Sequence, residues 1–96
     1  MNDISLKQLE IFVAVVEYGG FTRAAEELFF NQSTVSAHIS LLEQALGKKL
    51  FVRSNRRHVR LTKEGEQVYP IARRILNDCA ALRTLCLLYT SPSPRD

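Results

Sequence analysis

Asn31-Gln-Ser-Thr-Val-Ser-Ala-His-Ile-Ser-Leu-Leu-Glu-Gln-Ala-Leu-Gly47 is the stretch of this 96-residue chain whose reading decides the fold. Val35, Ile39, Leu42 and Leu46 fall at i, i+4, i+7 and i+11, on one stripe of a 3.6-residue helix, and that stripe is expected to be core. Elsewhere on the helix, toward its amino end, stand Gln32, Ser33, Ser36, His38 and Ser40, short or planar hydrogen-bonding groups with no carboxylate among them. Such a face is most often just the solvated side of an amphipathic helix, but it also suits base edges and phosphates. Asn31 is placed as the N-cap, Phe30 and Val35 as a hydrophobic staple, and Gly47 as the left-handed terminator. What surrounds the helix decides between the two readings.

Upstream, Ser5-Leu-Lys-Gln8 reads as a capping box, with Ile4 and Leu9 as its staple. A first helix follows with an apolar stripe of Leu6, Leu9, Phe12, Val13 and Val16, ended by Gly19-Gly20. Thr22 is expected to cap a short second helix through Leu28, in which Ala24 and Ala25 permit close helix packing. Only Phe29 and Phe30 then precede Asn31. Two helices joined by so tight a turn form a helix-turn-helix, whose second helix enters the major groove of DNA.

Downstream the period changes. Leu50-Phe-Val-Arg53 and His58-Val-Arg-Leu61 read as short strands around a Ser54–Arg57 turn, a two-stranded hairpin beside the helix-turn-helix, or wing. Thr62 then caps a fourth helix, with Glu64 and Glu66 at its positive end. Its stripe of Val68, Ile71, Ala72, Ile75, Leu76, Cys79 and Leu82 is longer than so small a core can cover, which points to a partner helix. Pro70 is expected to bend or loosen it.

The charges are segregated. Residues 1–47 hold two basic and six acidic side chains, whereas 48–63 hold seven basic ones (Lys48, Lys49, Arg53, Arg56, Arg57, Arg60 and Lys63) and no acid. That density attracts a polyanion, and nucleic acid fits better than a membrane surface because the segment lacks an interfacial helical pattern. Cys79 and Cys86 have no ligand-spaced neighbours, so neither a disulfide nor a metal site is expected. No apolar run has membrane-spanning length and no signal peptide opens the chain, so a cytoplasmic location is expected. An enzyme is disfavoured: Ser33, Ser36 and His38 share one helix with no nearby carboxylate or glycine-rich loop.

Six blocks in order carry a family resemblance: Leu6-Lys-Gln-Leu-Glu-Ile-Phe12, Gly20-Phe-Thr-Arg-Ala-Ala25, Gln32-Ser-Thr-Val-Ser36, Leu42-Glu43 with Leu46-Gly47, Leu50-Phe-Val-Arg53, and Leu61-Thr62 with Gly65. Residues 6–76 resemble the N-terminal DNA-binding domain of LysR-type transcriptional regulators. The resemblance implies a mainly α fold with a small two-stranded β wing, a winged helix-turn-helix over residues 1–61 and a linker helix over 62–85. It also implies homodimerisation through that helix, by Val68, Ile71, Ile75, Leu76, Cys79 and Leu82, on an interrupted inverted-repeat operator in double-stranded DNA. Base reading falls to Gln32, Ser33, Thr34 and Ser36, joined by His38. Phosphate or minor-groove contact falls to Lys7, Thr22, Arg23, Ser40, Arg53, Arg56 and Arg57. No cofactor is implied for this part of the family; a small-molecule effector would bind a C-terminal domain to which nothing here corresponds.

Two departures stand out. Ala37 and Ser40-Leu41 occupy positions that are often basic in the family, so the third helix offers fewer charged contacts and His38 and the wing are expected to matter more. Residues 86–96, ending Ser91-Pro-Ser-Pro-Arg-Asp96, break the helical pattern and read as a translated sequencing adapter; a disordered, foreign tail is the expectation. The alternative function is a winged-helix protein-interaction or dimerisation module without sequence-specific DNA binding, but such a module has no need of seven positive charges around a hairpin.

Overall fold

The computed structural model describes residues 4–52 and 59–90. In chain order these form α1 (Leu6–Tyr18), α2 (Phe21–Leu28), α3 (Gln32–Leu46), β1 (Phe51–Val52), β2 (Arg60–Leu61) and α4 (Lys63–Thr90). The two strands pair antiparallel, Phe51 opposite Leu61 and Val52 opposite Arg60. This is the mainly helical, winged arrangement expected from the sequence. The Ser54–Arg57 turn and the outer ends of the expected strands lie outside the described residues.

The capping box forms as read: the Gln8 N–H donates to Ser5 Oγ at 3.1 Å, and the Ser5 N–H donates to Gln8 Oε1 at 3.2 Å. Gly19 closes the helix at φ +82°. The expected stripe on α1 is too narrow, because this helix is the centre of the domain, packed on by α2, α3 and α4. Gln8, Leu9 and Ile11 through Val15 are all buried, whereas Leu6 is exposed. Ile11 and Phe12 are fully inaccessible, together with Val35, Ile39, Leu42 and Leu50. Each such side chain contributes roughly 1.5–3 kcal/mol by leaving water.

Phe12 links the layers. Its ring lies 5.4 Å from that of Phe51 in the wing and 6.4 Å from that of Tyr69 in α4, and Phe51 also stacks edge-on with Phe21 of α2 at 5.6 Å. The wing therefore grows out of the core instead of hanging beside it.

Two caps differ from expectation. Gly20 occupies the N-cap of α2, and Thr22 lies one step inside the helix with its side chain exposed. Asn31 is the N-cap of α3 in extended conformation, yet its side chain makes no capping hydrogen bond; its carbonyl accepts from Thr34 and Val35 at 3.0 and 3.2 Å. The amino end of α3 is therefore held by packing, with Phe30 tucked against the core.

The α4 helix runs through Pro70 without interruption and past Leu85 to Thr90. The sequence Cys86-Leu-Leu-Tyr-Thr90 contains no Gly or Pro, and the next proline, Pro92, restricts only the residue before it. The apolar stripe of α4 resolves into two. Ala72 is buried and Val68, Tyr69 and Leu76 pack against the core, whereas Ile71, Ile75, Leu82 and Leu85 stay exposed.

Candidate nucleic-acid interface

The α3 helix presents an outward face built from residues that its core stripe leaves free. Gln32, Ser33, Ala37, Leu41 and Gln44 are exposed, and Thr34, Ser36 and Ser40 are half-buried. From Asn31 to Leu42 no side chain carries a charged carboxylate, ammonium or guanidinium. His38 sits differently from the others. It is half-buried, and its Nδ1 is enclosed without a hydrogen-bond partner among the described residues. That nitrogen faces the protein, so the ring belongs to the flank of the helix and not to the centre of its outward face.

At one edge, Lys7 stands over the ring of Phe30, its Nζ 5.6 Å from the centroid, and pairs loosely with Glu10 at 3.6 Å. Both partners of that pair are about half exposed, and an ion pair so wetted is worth little. Thr22 and Arg23 are exposed near the start of α2.

At the other end Glu43 joins α3 to the wing. Its buried carboxylate accepts the Leu50 N–H at 2.8 Å, and its second oxygen lies 3.8 Å from Lys49 Nζ. Gly47, at φ +74°, turns the chain and returns its N–H to the Glu43 carbonyl at 2.8 Å. Ser40, Gln44, Lys48 and Lys49 line a shallow cleft here. Thr62 completes the junction: its hydroxyl donates to the Lys49 carbonyl at 2.6 Å and accepts the Gly65 N–H at 3.0 Å. Of the cationic run, Lys48, Lys49, Arg60 and Lys63 are exposed around this junction; Arg53, Arg56 and Arg57 lie outside the described residues.

Thr62 caps α4 as expected from the sequence, and Glu43, Thr62 and Gly65 all fall in the blocks that carry the family resemblance, but the sequence did not show that they join into one unit. A buried acid after two leucines, a threonine and a glycine have no common signature until the fold brings Leu50 against all three. A second cluster, Glu17 with Tyr69 and Arg73, fixes α4 to the end of α1. The Tyr69 hydroxyl donates to Glu17 Oε2 at 3.0 Å and Arg73 pairs with the same oxygen. The contact with the Tyr69 hydroxyl, then the Glu17 charge, holds the Arg73 guanidinium above its ordinary pKa. No group of His, Cys, Asp and Glu among the described residues is arranged to hold a metal ion, and no described helix is long and apolar enough to cross a membrane.

Residues 6–66 match the profile of the bacterial regulatory helix-turn-helix proteins of the lysR family. The chain belongs to the LysR family. Among curated members it is 45% identical over 78 residues to the HTH-type transcriptional regulator CrgA of Neisseria meningitidis serogroup B, covering 81% of this chain and 26% of that protein. With the regulator DmlR of Escherichia coli it shares 44% over 79 residues, covering 81% and 25%. The chain thus spans about a quarter of the length of the curated relatives it matches. Among solved structures, the DNA-binding domain of BenM in complex with benA site 1 DNA superposes with a TM-score of 0.86 at 35% identity, covering 93% of this chain and 99% of that one. The described fold is therefore that of a LysR-type DNA-binding domain, in a family of transcriptional regulators and not of enzymes.

Proposed function

We propose that this LysR-family chain binds an interrupted inverted-repeat operator as a homodimer, with α3 in the major groove of each half-site, the wing against the flanking backbone and α4 as the pairing helix. The observation that carries the reading is the match, over nearly the whole of both chains, to the BenM DNA-binding domain solved in complex with benA site 1 DNA. In this chain the face that such docking turns toward the bases is uncharged, with hydrogen-bonding side chains beside Ala37 and Leu41, and direct readout uses both kinds of contact.

Within that reading Gln32, Ser33, Thr34 and Ser36 read base edges, with His38 at the flank. Lys7, Thr22, Arg23 and Ser40 meet phosphates, and Arg53, Arg56 and Arg57 extend the contact through the wing. The charge balance divides the labour. The first 47 residues are net acidic and cannot supply general affinity for a polyanion, so affinity comes mainly from the cationic segment and from joining two copies. In the whole protein a small-molecule effector domain would follow and bias this binding.

The test is duplex binding by fluorescence anisotropy across a series of salt concentrations. The expected plot of log affinity against log salt is steep and linear, and Arg53→Ala or Arg57→Ala lowers its slope by about one each. A flat plot, or no binding to any duplex, overturns the proposal in favour of a protein-interaction module.

A further inference from the structure

The outward face of α3 has a composition that selects among bases. The commonest specific contact in the major groove, an Arg or Lys side chain on guanine O6 and N7, has no donor between Asn31 and Leu42. The histidine in that span has one nitrogen turned into the protein. What the face offers in its place is a row at i, i+4 and i+8: Ser33, Ala37 and Leu41, all exposed, with Leu41 at 50%. Ser36, Ser40 and Gln44 flank the row.

A single exposed leucine is ordinary on a protein surface. Here, however, it shares with Ala37 the face proposed to lie against base edges, and among the groups that base pairs display in the major groove one is apolar, the thymine C5-methyl. Along the helix Ala37 and Leu41 are about 6 Å apart, of the order of two base steps. At the amino end of α3, on the neighbouring ridge with Ser36 and Ser40, Gln32 is exposed and carries the amide type that pairs bidentately with adenine N6 and N7.

We propose that α3 selects A·T pairs by packing Ala37 and Leu41 against thymine methyl groups, so that base choice in the centre of each half-site rests on apolar contact instead of guanine recognition. This rests on the docking of α3 in the major groove. The apolar row makes each half-site sensitive to the methyl itself, independent of base pairing.

The experiment selects duplexes from a random pool with the full chain, then replaces each thymine of the selected half-site by deoxyuridine, which keeps every pairing hydrogen bond and lacks the methyl. Two or more positions within about two base pairs of each other are expected to lose about fourfold in affinity per methyl. Leu41→Ala and Ala37→Gly proteins, shown by circular dichroism to keep their helix content, are each expected to bind thymine and deoxyuridine duplexes equally at one of those positions. Because each comparison is made within one protein, a general loss of affinity in a variant cancels. Selected half-sites with guanine or cytosine at their centres, or a deoxyuridine effect that survives in both variants, overturn the inference while leaving DNA binding intact. Failure to bind any duplex overturns the underlying reading as well.

Discussion

The carboxylate of Glu43, only 6% exposed, accepts the backbone N–H of Leu50 at 2.8 Å. The last turns of α3 and the first residue leading into the wing are thereby one hydrogen-bonded unit, strengthened by the Gly47 and Lys48 amides on the Glu43 carbonyl. This side chain ties the helix proposed to enter the groove to the hairpin proposed to hold the backbone, alongside the packing of Phe51 on Phe12 and Phe21.

Glu43→Ala leaves the Leu50 amide without its partner, an unsatisfied buried donor that costs about 2 kcal/mol. Urea unfolding is expected to show that loss, and DNA affinity is expected to fall beyond it because the wing is no longer registered on α3. Glu43→Gln retains an acceptor oxygen and is expected to lose less than half as much. If the two variants unfold at the same urea concentration as the parent, Glu43 does not fix the wing.

Gly65 in the first turn of α4 is required for a different reason. A Cβ there would lie 2.2 Å from the Leu50 carbonyl oxygen and 2.8 Å from Leu61 Cδ2. The first obstacle is backbone, which cannot rotate aside, and Leu50 is also held by Glu43 and by the Thr62 N–H at 2.9 Å. Gly65→Ala is expected to destabilise the domain by about 1–3 kcal/mol, the usual penalty of overpacking, despite the better helix propensity of alanine. A thermal melt unchanged or raised by the substitution would show that the α4 start can shift.

These two positions mark where the sequence was legible and where it was not. Helix number and type, the wing and the long last helix follow from periodicity and capping, which are local: Ser5 with Gln8 and the stripe from Val35 to Leu46 carry their meaning within a few residues. Glu43 and Gly65 draw theirs from Leu50, which stands across a chain turn from each, beyond the end of α3 for the first and before the start of α4 for the second, so the period of a single helix or strand does not relate them. The α1 stripe was misjudged for a related reason. A helix packed from three sides has no single apolar face, and Ile11 is as buried as Phe12. At the interface the polar residues of α3 were visible in the sequence, but the inward turn of His38 Nδ1 was not, because residue type alone does not say which edge of a ring is covered.

Phe29 is 93% exposed and adopts φ +61° at the carboxyl end of α2, a left-handed conformation that a bulky side chain enters at a cost of roughly 1–2 kcal/mol. Asparagine tolerates it, and almost no burial is lost on replacing a ring so open to water. Phe29→Asn is therefore expected to raise stability by about 1 kcal/mol in urea unfolding. A destabilised Phe29→Asn protein would show that the ring makes a contact that its exposure conceals.

The two faces of α4 predict opposite consequences for substitutions less than two helical turns apart. Leu76 packs on the chain's own core, so Leu76→Ala is expected to lower the melting temperature, with a cost of about 2 kcal/mol or more for the deleted methyl groups. Ile71 and Leu82 are 57% and 60% exposed, and in the proposed homodimer they meet the same helix of a second copy. Ile71→Glu with Leu82→Glu is then expected to leave the fold intact in a melt at low concentration. It should weaken dimerisation by about a hundredfold or more, since burial of each such side chain contributes roughly 1.5–3 kcal/mol and both copies are changed. Sedimentation equilibrium of parent and variant over a wide concentration range measures this directly. A parent chain that stays monomeric throughout, or a dimer that survives both glutamates, would place the pairing surface elsewhere and leave the outer stripe of α4 without its proposed role.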